Sequence, residues 1–204
     1  MPVDVTWKTF HKRYYLDLVV CDRALYELKT RPDLEREHQA QTLNYMLLLG
    51  LQEGKLINFR SPSVQWRFVS TTLTPEERMK FEFRDTRFLE VSPACASMRK
   101  VLGEILSDWG AYLELALYQE AVTWFLGGES KVLGPVPLTR DGASLGNQTF
   151  ALLAPDVALR MTAVADDPHH METHLRRFMA LTPLRALQWV NFNHAKIDLV
   201  TLFQ

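Results

Sequence analysis

The sequence predicts an α/β protein made of two related modules, each a mixed β-sheet flanked by helices. Two observations carry this. Residues 1–70 alternate between period-two runs rich in β-branched and aromatic side chains and one stretch of helical period, and the same order of elements returns from Gly134. An ungapped shift of 133 positions, the step from Ala24 to Val157, then superposes the two halves.

In the first half, strands are expected over Val3 to Phe10, Tyr14 to Val20 and Ala24 to Thr30, joined as a meander with Cys21-Asp22-Arg23 as a hairpin turn. Pro32 and Asp33 stop the sheet. Leu34 to Leu51 reads as a helix, because Ala40, Leu43, Met46, Leu47 and Gly50 recur at helical spacing. Two further strands follow at Lys55 to Phe59 and Val64 to Ser70. Thr74-Pro75-Glu76-Glu77 is a helix start, Ser92-Pro93 a break, and Ala94 to Leu126 a helical stretch interrupted near Gly110 and ended by Gly127-Gly128.

The second half reads as strands at Pro135 to Thr139, Gln148 to Leu153 and Val157 to Val164, a helix at Pro168 to Leu181, and strands at Leu187 to Phe192 and Lys196 to Leu202. Under the shift, His38 to Phe59 falls on Met171 to Phe192, matching Met46 with Met179, Leu51 with Leu184, and Asn58-Phe59 with Asn191-Phe192. The organisation expected is a half-module over 1–70, a connector over 71–99 and a second module over 100–204. Nothing in the first half matches the long helix that precedes the second, so the first module reads as lacking its N-terminal helix.

Composition limits the function classes. The 204 residues are 47% hydrophobic and 23% charged, as in ordinary globular proteins. No apolar run reaches the roughly 18 residues of a membrane helix and the start is not that of a signal peptide, so a cytoplasmic location without membrane association is expected. Two cysteines, Cys21 and Cys95, support neither a disulfide framework nor a thiolate metal site and are expected to be small buried hydrophobes. A formal charge of −1 argues against a strong, sequence-independent grip on nucleic acid. Residues 1–70 hold ten Lys/Arg against eight Asp/Glu, so any polyanion surface lies there and is modest.

One constellation could carry chemistry. Asp17 is expected within one strand, and Glu27-Leu28-Lys29 puts an acid and a lysine on one face of the next. Two carboxylates there can hold a hard cation such as Mg²⁺ or Mn²⁺, and the lysine can stabilise developing charge. Gln41 and Tyr45, four residues apart on the following helix, share one face. His170 and His174 have the spacing of a zinc pair but no third ligand, and read as a polar helix start.

The stretch Tyr14 to Phe59, with LDLVV, YELK, HQAQTLNY and KLINF in order, resembles the GxxExxY proteins of the PD-(D/E)XK nuclease superfamily. The resemblance implies Asp17 and Glu27 as metal ligands, Lys29 as the catalytic lysine, Gln41 and Tyr45 as a positioning pair, and Mg²⁺-dependent phosphodiester hydrolysis in DNA or RNA. It also implies a further glutamate on a helix before the sheet. The nearest counterpart precedes Tyr118, where Leu115 stands three residues before the tyrosine and Glu114 is one residue out of register. The shift puts Phe150, Arg160, Thr162, His174 and Phe178 at the five site positions, so the second module is expected to be catalytically dead. The rival expectation is an inactive nuclease-derived binding or scaffold protein. Homo-oligomerisation is left open by the sequence.

Overall fold

A computed structural model describes residues 1–60 and 63–204, which form two units: Met1–Lys80 with Asp108–Glu114, and Phe81–Ser107 with Leu115–Gln204. In the first unit, β1 (Pro2–Trp7) and β2 (Phe10–Tyr15) pair as an antiparallel hairpin of their own. Next come β3 (Leu18–Val20), β4 (Ala24–Lys29), α1 (Arg36–Leu49), β5 (Glu53–Asn58) and β6 (Gln65–Ser70), with the four strands ordered β3-β4-β5-β6. The β4–β5 pair is parallel and its neighbours antiparallel, so α1 serves as the crossover that a parallel pair requires.

The strand expected over Tyr14 to Val20 is broken at Leu16-Asp17, and the meander is therefore interrupted. Leu16 is buried and its N–H closes onto the Met1 carbonyl, ending the first hairpin. The Asp17 carboxylate then takes the Leu28 N–H of β4 (2.8 Å), a side chain competing for a group that strand pairing would use. Cys21, expected to be buried, is exposed in the β3–β4 turn.

Helix α1 starts where the Glu35 N–H donates to His38 Nδ1 and stops at Gly50, whose left-handed φ of 67° suits glycine. After the short α2 (Pro75–Arg78), capped by Thr74 and Glu77 as its sequence predicts, Arg78 is buried. Its guanidinium donates to the carbonyls of Leu47 at the end of α1, Trp109 and Ala111. The Ala111 N–H returns a bond to the Arg78 carbonyl. Gly110 lies between, with φ of 74°, and a Cβ there would meet the Arg78 carbonyl oxygen at 2.8 Å. This clasp holds Asp108–Glu114 in the first unit.

The second unit contains β7 (Glu82–Arg87), a strand within the stretch read as connector, and α3 (Pro93–Trp109), whose last two residues fall in the first unit. It continues with α4 (Leu115–Phe125), α5 (Glu129–Val132), β8 (Leu133–Arg140), β9 (Ala143–Ala154), β10 (Val157–Thr162), α6 (Pro168–Met179), β11 (Ala186–Asn193) and β12 (Lys196–Phe203). Its six strands are ordered β7-β12-β11-β10-β9-β8, with α6 crossing between the parallel β10 and β11. One face packs a core of Phe150, Leu175, Met179, Leu187 and Trp189 beneath α6. The α/β class with mixed sheets flanked by helices is as the sequence predicts. Among the described residues no helix is long and apolar enough to cross a membrane.

The registers of the two sheets correspond. In the first sheet Ala24 pairs with Glu53, Lys29 with Asn58, and Glu53 with Ser70. Moved by 133 positions, from Ala24 to Val157, these become Val157 with Ala186, Thr162 with Asn191, and Ala186 with Phe203, all of which are pairs of the second sheet. A side-chain clamp repeats too. Asn58 Oδ1 accepts the Arg31 N–H and its Nδ2 donates to the Arg31 carbonyl, while Asn191 makes the same two bonds to Val164. Both asparagines are buried and secure the turn that leaves the crossover strand. Asn58→Ala or Asn191→Ala is expected to cost about 1–3 kcal/mol by leaving backbone groups unpaired. Urea unfolding of the full chain measures it, and a loss below the scatter of the method would show that water replaces the clamp.

Candidate active site

Period two on β4 sends Leu25, Glu27 and Lys29 to the face that α1 covers. Leu25 anchors the strand in the core, and Glu27 follows it inward until it is only 3% exposed. Lys29 Nζ donates to Glu27 Oε1 and to Gln41 Oε1, both at 2.7 Å, and Gln41 Nε2 donates to the Tyr45 hydroxyl at 2.8 Å. The helical repeat stacks Gln41 over Tyr45 on α1, so one continuous chain of hydrogen bonds runs from carboxylate to phenol. Four of the five site residues read from the sequence are thereby joined. Asp17 sits in the bend before β3, exposed, with its carboxylate on the Leu28 N–H.

Glu27 Oε2 is buried and has no hydrogen-bond partner. Burial pushes the Glu27 carboxyl above the usual carboxylate range; the Lys29 ammonium pulls it back, and the Asp17 charge adds to the rise. A buried carboxylate oxygen without a partner is the donor type that a hard divalent cation takes. Among the described residues, no three His, Cys, Asp or Glu side chains gather as a preformed metal cluster. The unpartnered oxygen of Glu27 is of the kind that Mg²⁺, which binds through one or two carboxylates, can use.

A third acid comes from a part of the chain not read as site. Glu114 Oε1 accepts the Tyr14 hydroxyl at 2.5 Å and lies 3.5 Å from Lys12 Nζ, while the Glu114 N–H donates to the Oδ1 of buried Asn44 on α1 (3.0 Å). The Tyr14 and Tyr45 rings meet edge to face, 5.7 Å between centroids. The Tyr45 phenol is raised by burial, against the Gln41 hydrogen bond, and further by the charges of Glu27, Glu114 and Asp17. Glu114 thus belongs to the electrostatic surroundings of the site. Its only sequence signal was a glutamate one residue out of register with Tyr118, and what places it is the Arg78–Gly110 clasp.

The matching positions of the second sheet hold no such arrangement. Phe150 and Phe178, in place of Asp17 and Tyr45, stack at 5.0 Å. Thr162, in place of Lys29, is buried and bonded to Asn191 and Trp189, and Arg160, in place of Glu27, is exposed. His174 is exposed on α6.

The first unit is thus an α/β module with a buried carboxylate–lysine pair near the carboxyl end of a parallel strand, where open sheets place ligands. Residues 1–69, about a third of the 204-residue chain, match the family model described as the PD-(D/E)XK nuclease superfamily, and that match supports the superfamily for this segment. All five residues Asp17, Glu27, Lys29, Gln41 and Tyr45 lie inside it. No curated protein and no solved structure matches the chain.

Proposed function

We propose that the first unit is a nuclease module that hydrolyses phosphodiester bonds in DNA or RNA with Mg²⁺ or Mn²⁺, and that it is of the GxxExxY kind. The observation that carries the reading is the orphaned, buried Glu27 Oε2 at the head of the Lys29–Gln41–Tyr45 chain. Asp17 and Glu27 hold the cation, which supplies Lewis acidity toward the phosphodiester when bound. Lys29, fixed by two acceptors, keeps a donor for the developing phosphate charge. Gln41, held by Tyr45, keeps that lysine in place, and Tyr14, bonded to Glu114, packs its ring against Tyr45.

The second unit is, in this reading, a duplicate that lost the site. Support comes from the shared strand registers, the repeated asparagine clamp, and the aromatic stack standing where Asp17 and Tyr45 stand in the first. One observation favours an inactive scaffold instead: Lys29 already neutralises Glu27 Oε1 without any cation.

The test is cleavage of single- and double-stranded DNA and RNA by the purified full chain in Mg²⁺, Mn²⁺ or EDTA. Cation-dependent cleavage is expected, lost in Asp17→Ala and in Lys29→Met. Activity persisting in Asp17→Ala would trace it to a contaminant. No cleavage of any substrate, with no thermal shift on adding either cation, would leave the scaffold reading standing.

A further inference from the structure

The four-stranded sheet has two faces, and only one is covered. Leu25, Glu27, Leu56 and Asn58 face α1 and are buried. The opposite face, set by the pairings Leu18–Tyr26, Tyr26–Lys55 and Lys55–Phe68, exposes Leu18, Val20, Leu28, Trp66 and Phe68, the last at 71%. Parallel strands such as β4 and β5 are ordinarily buried on both faces. The second sheet shows the covered state. Gln188, Leu199 and Thr201, at the positions of Lys55, Trp66 and Phe68, are all buried, and Gln188 Nε2 reaches Cys95 Sγ at the start of α3 (3.4 Å).

We propose that the open face is a homodimer interface, occupied by the same face of a second copy of this chain. Two features select a second copy over other occupants. The first is charge. Glu53 and Lys55 lie two residues apart on β5, on this face, and among the described residues neither has an ion-pair partner. Lys55 Nζ sits over the Trp66 and Phe68 rings, 4.6 and 5.3 Å from their centroids. An acid and a base side by side on one apolar face complement themselves across a twofold axis, where each residue of one copy meets the other residue of its mate. A polyanion would find one cation beside one carboxylate, and so no net attraction.

The second feature is area. The five exposed side chains, with half-buried Tyr26, Ile57 and Lys55 around them, offer on the order of 500 Å² per copy, so two copies remove on the order of 1,000 Å², the lower limit for a specific interface and the size of a reversible one. The aromatic pair Trp66–Phe68, 5.1 Å between centroids, sits on the edge strand where a mate packs against it. This interface is on the face away from Glu27 and does not depend on the catalytic reading.

Sedimentation equilibrium of the full chain over a wide concentration range tests it. A monomer–dimer equilibrium is expected for the wild type, weakened about a hundredfold in Trp66→Ser/Phe68→Ser and about tenfold in Lys55→Glu, which sets like charges across the axis. The exchange Glu53→Lys/Lys55→Glu restores self-complementarity and should recover the wild-type constant. Circular dichroism separates weak association from misfolding, since none of the four side chains is buried. A wild type monomeric at every concentration overturns the proposal. So does a dimer indifferent to both the aromatic and the charge variants. Recruitment of a different protein's helix to this face, with no self-association, would overturn it as well.

Discussion

Glu27→Gln is expected to abolish cation-dependent cleavage while leaving the cation-free protein at least as stable as wild type at neutral pH. The loss of activity should be on the order of 10³-fold, the scale of removing a principal electrostatic group from a site. Stability follows from the sign of the shift. The folded-state pKa of Glu27 is raised, chiefly by burial, so the stability it contributes is complete below its unfolded pKa. That contribution is lost as pH rises through the folded pKa. The cation-free wild type should therefore lose Tm on going from the ordinary carboxylate range to above the raised pKa, and Glu27→Gln, which keeps the shape and an acceptor for Lys29, should lack that slope. Calorimetry across pH without metal reads it. Mg²⁺ or Mn²⁺ should raise the wild-type Tm at neutral pH, by about 2.7 kcal/mol of stability at a hundredfold excess over Kd, and barely move the variant. Equal cation shifts in both proteins would mean that the cation binds elsewhere.

Arg78→Ala is expected to be the most destabilising single change in the first unit, by about 3–5 kcal/mol. The guanidinium is buried and serves the carbonyls of Leu47, Trp109 and Ala111, so its removal strands several acceptors together. The cost spreads to the site, because the same clasp holds the chain that ends in Glu114. Denaturant unfolding measures the loss. Gly110→Ala separates the two effects: the protein should still fold with a smaller penalty, yet show the Tyr14–Glu114 contact disturbed as a change in tyrosine fluorescence or in the pH dependence of the Tyr45 phenol. An unchanged Tyr45 titration in Gly110→Ala would break the link between clasp and site.

The central part of the site was legible because its geometry is local. Period two alone puts Glu27 and Lys29 on one face of β4, and the helical repeat puts Gln41 over Tyr45 on α1; the bonds found between them follow once the crossover brings helix to strand. The halting of Tyr14 to Val20 at Asp17 was not legible. Alternation continues through that residue, and its carboxylate wins a competition for an N–H on another strand. Glu114 was set aside for its register against Tyr118 along one helix, whereas its actual partners are Tyr14 and Asn44, far away in sequence.

By itself the sequence determined most of the strands and helices, though not β7 or the break at Asp17, together with the positions of the glycine and proline stops and the acid–lysine–glutamine–tyrosine set, since each of these depends on neighbours within a turn or a strand. Only the tertiary structure decided which sheet face is covered, which backbone carbonyls Arg78 serves, and which carboxylate takes the Tyr14 hydroxyl. Those depend on contacts between segments whose separation along the chain leaves no periodic trace, and burial, the physical quantity that sets them, exists only once the chain has folded.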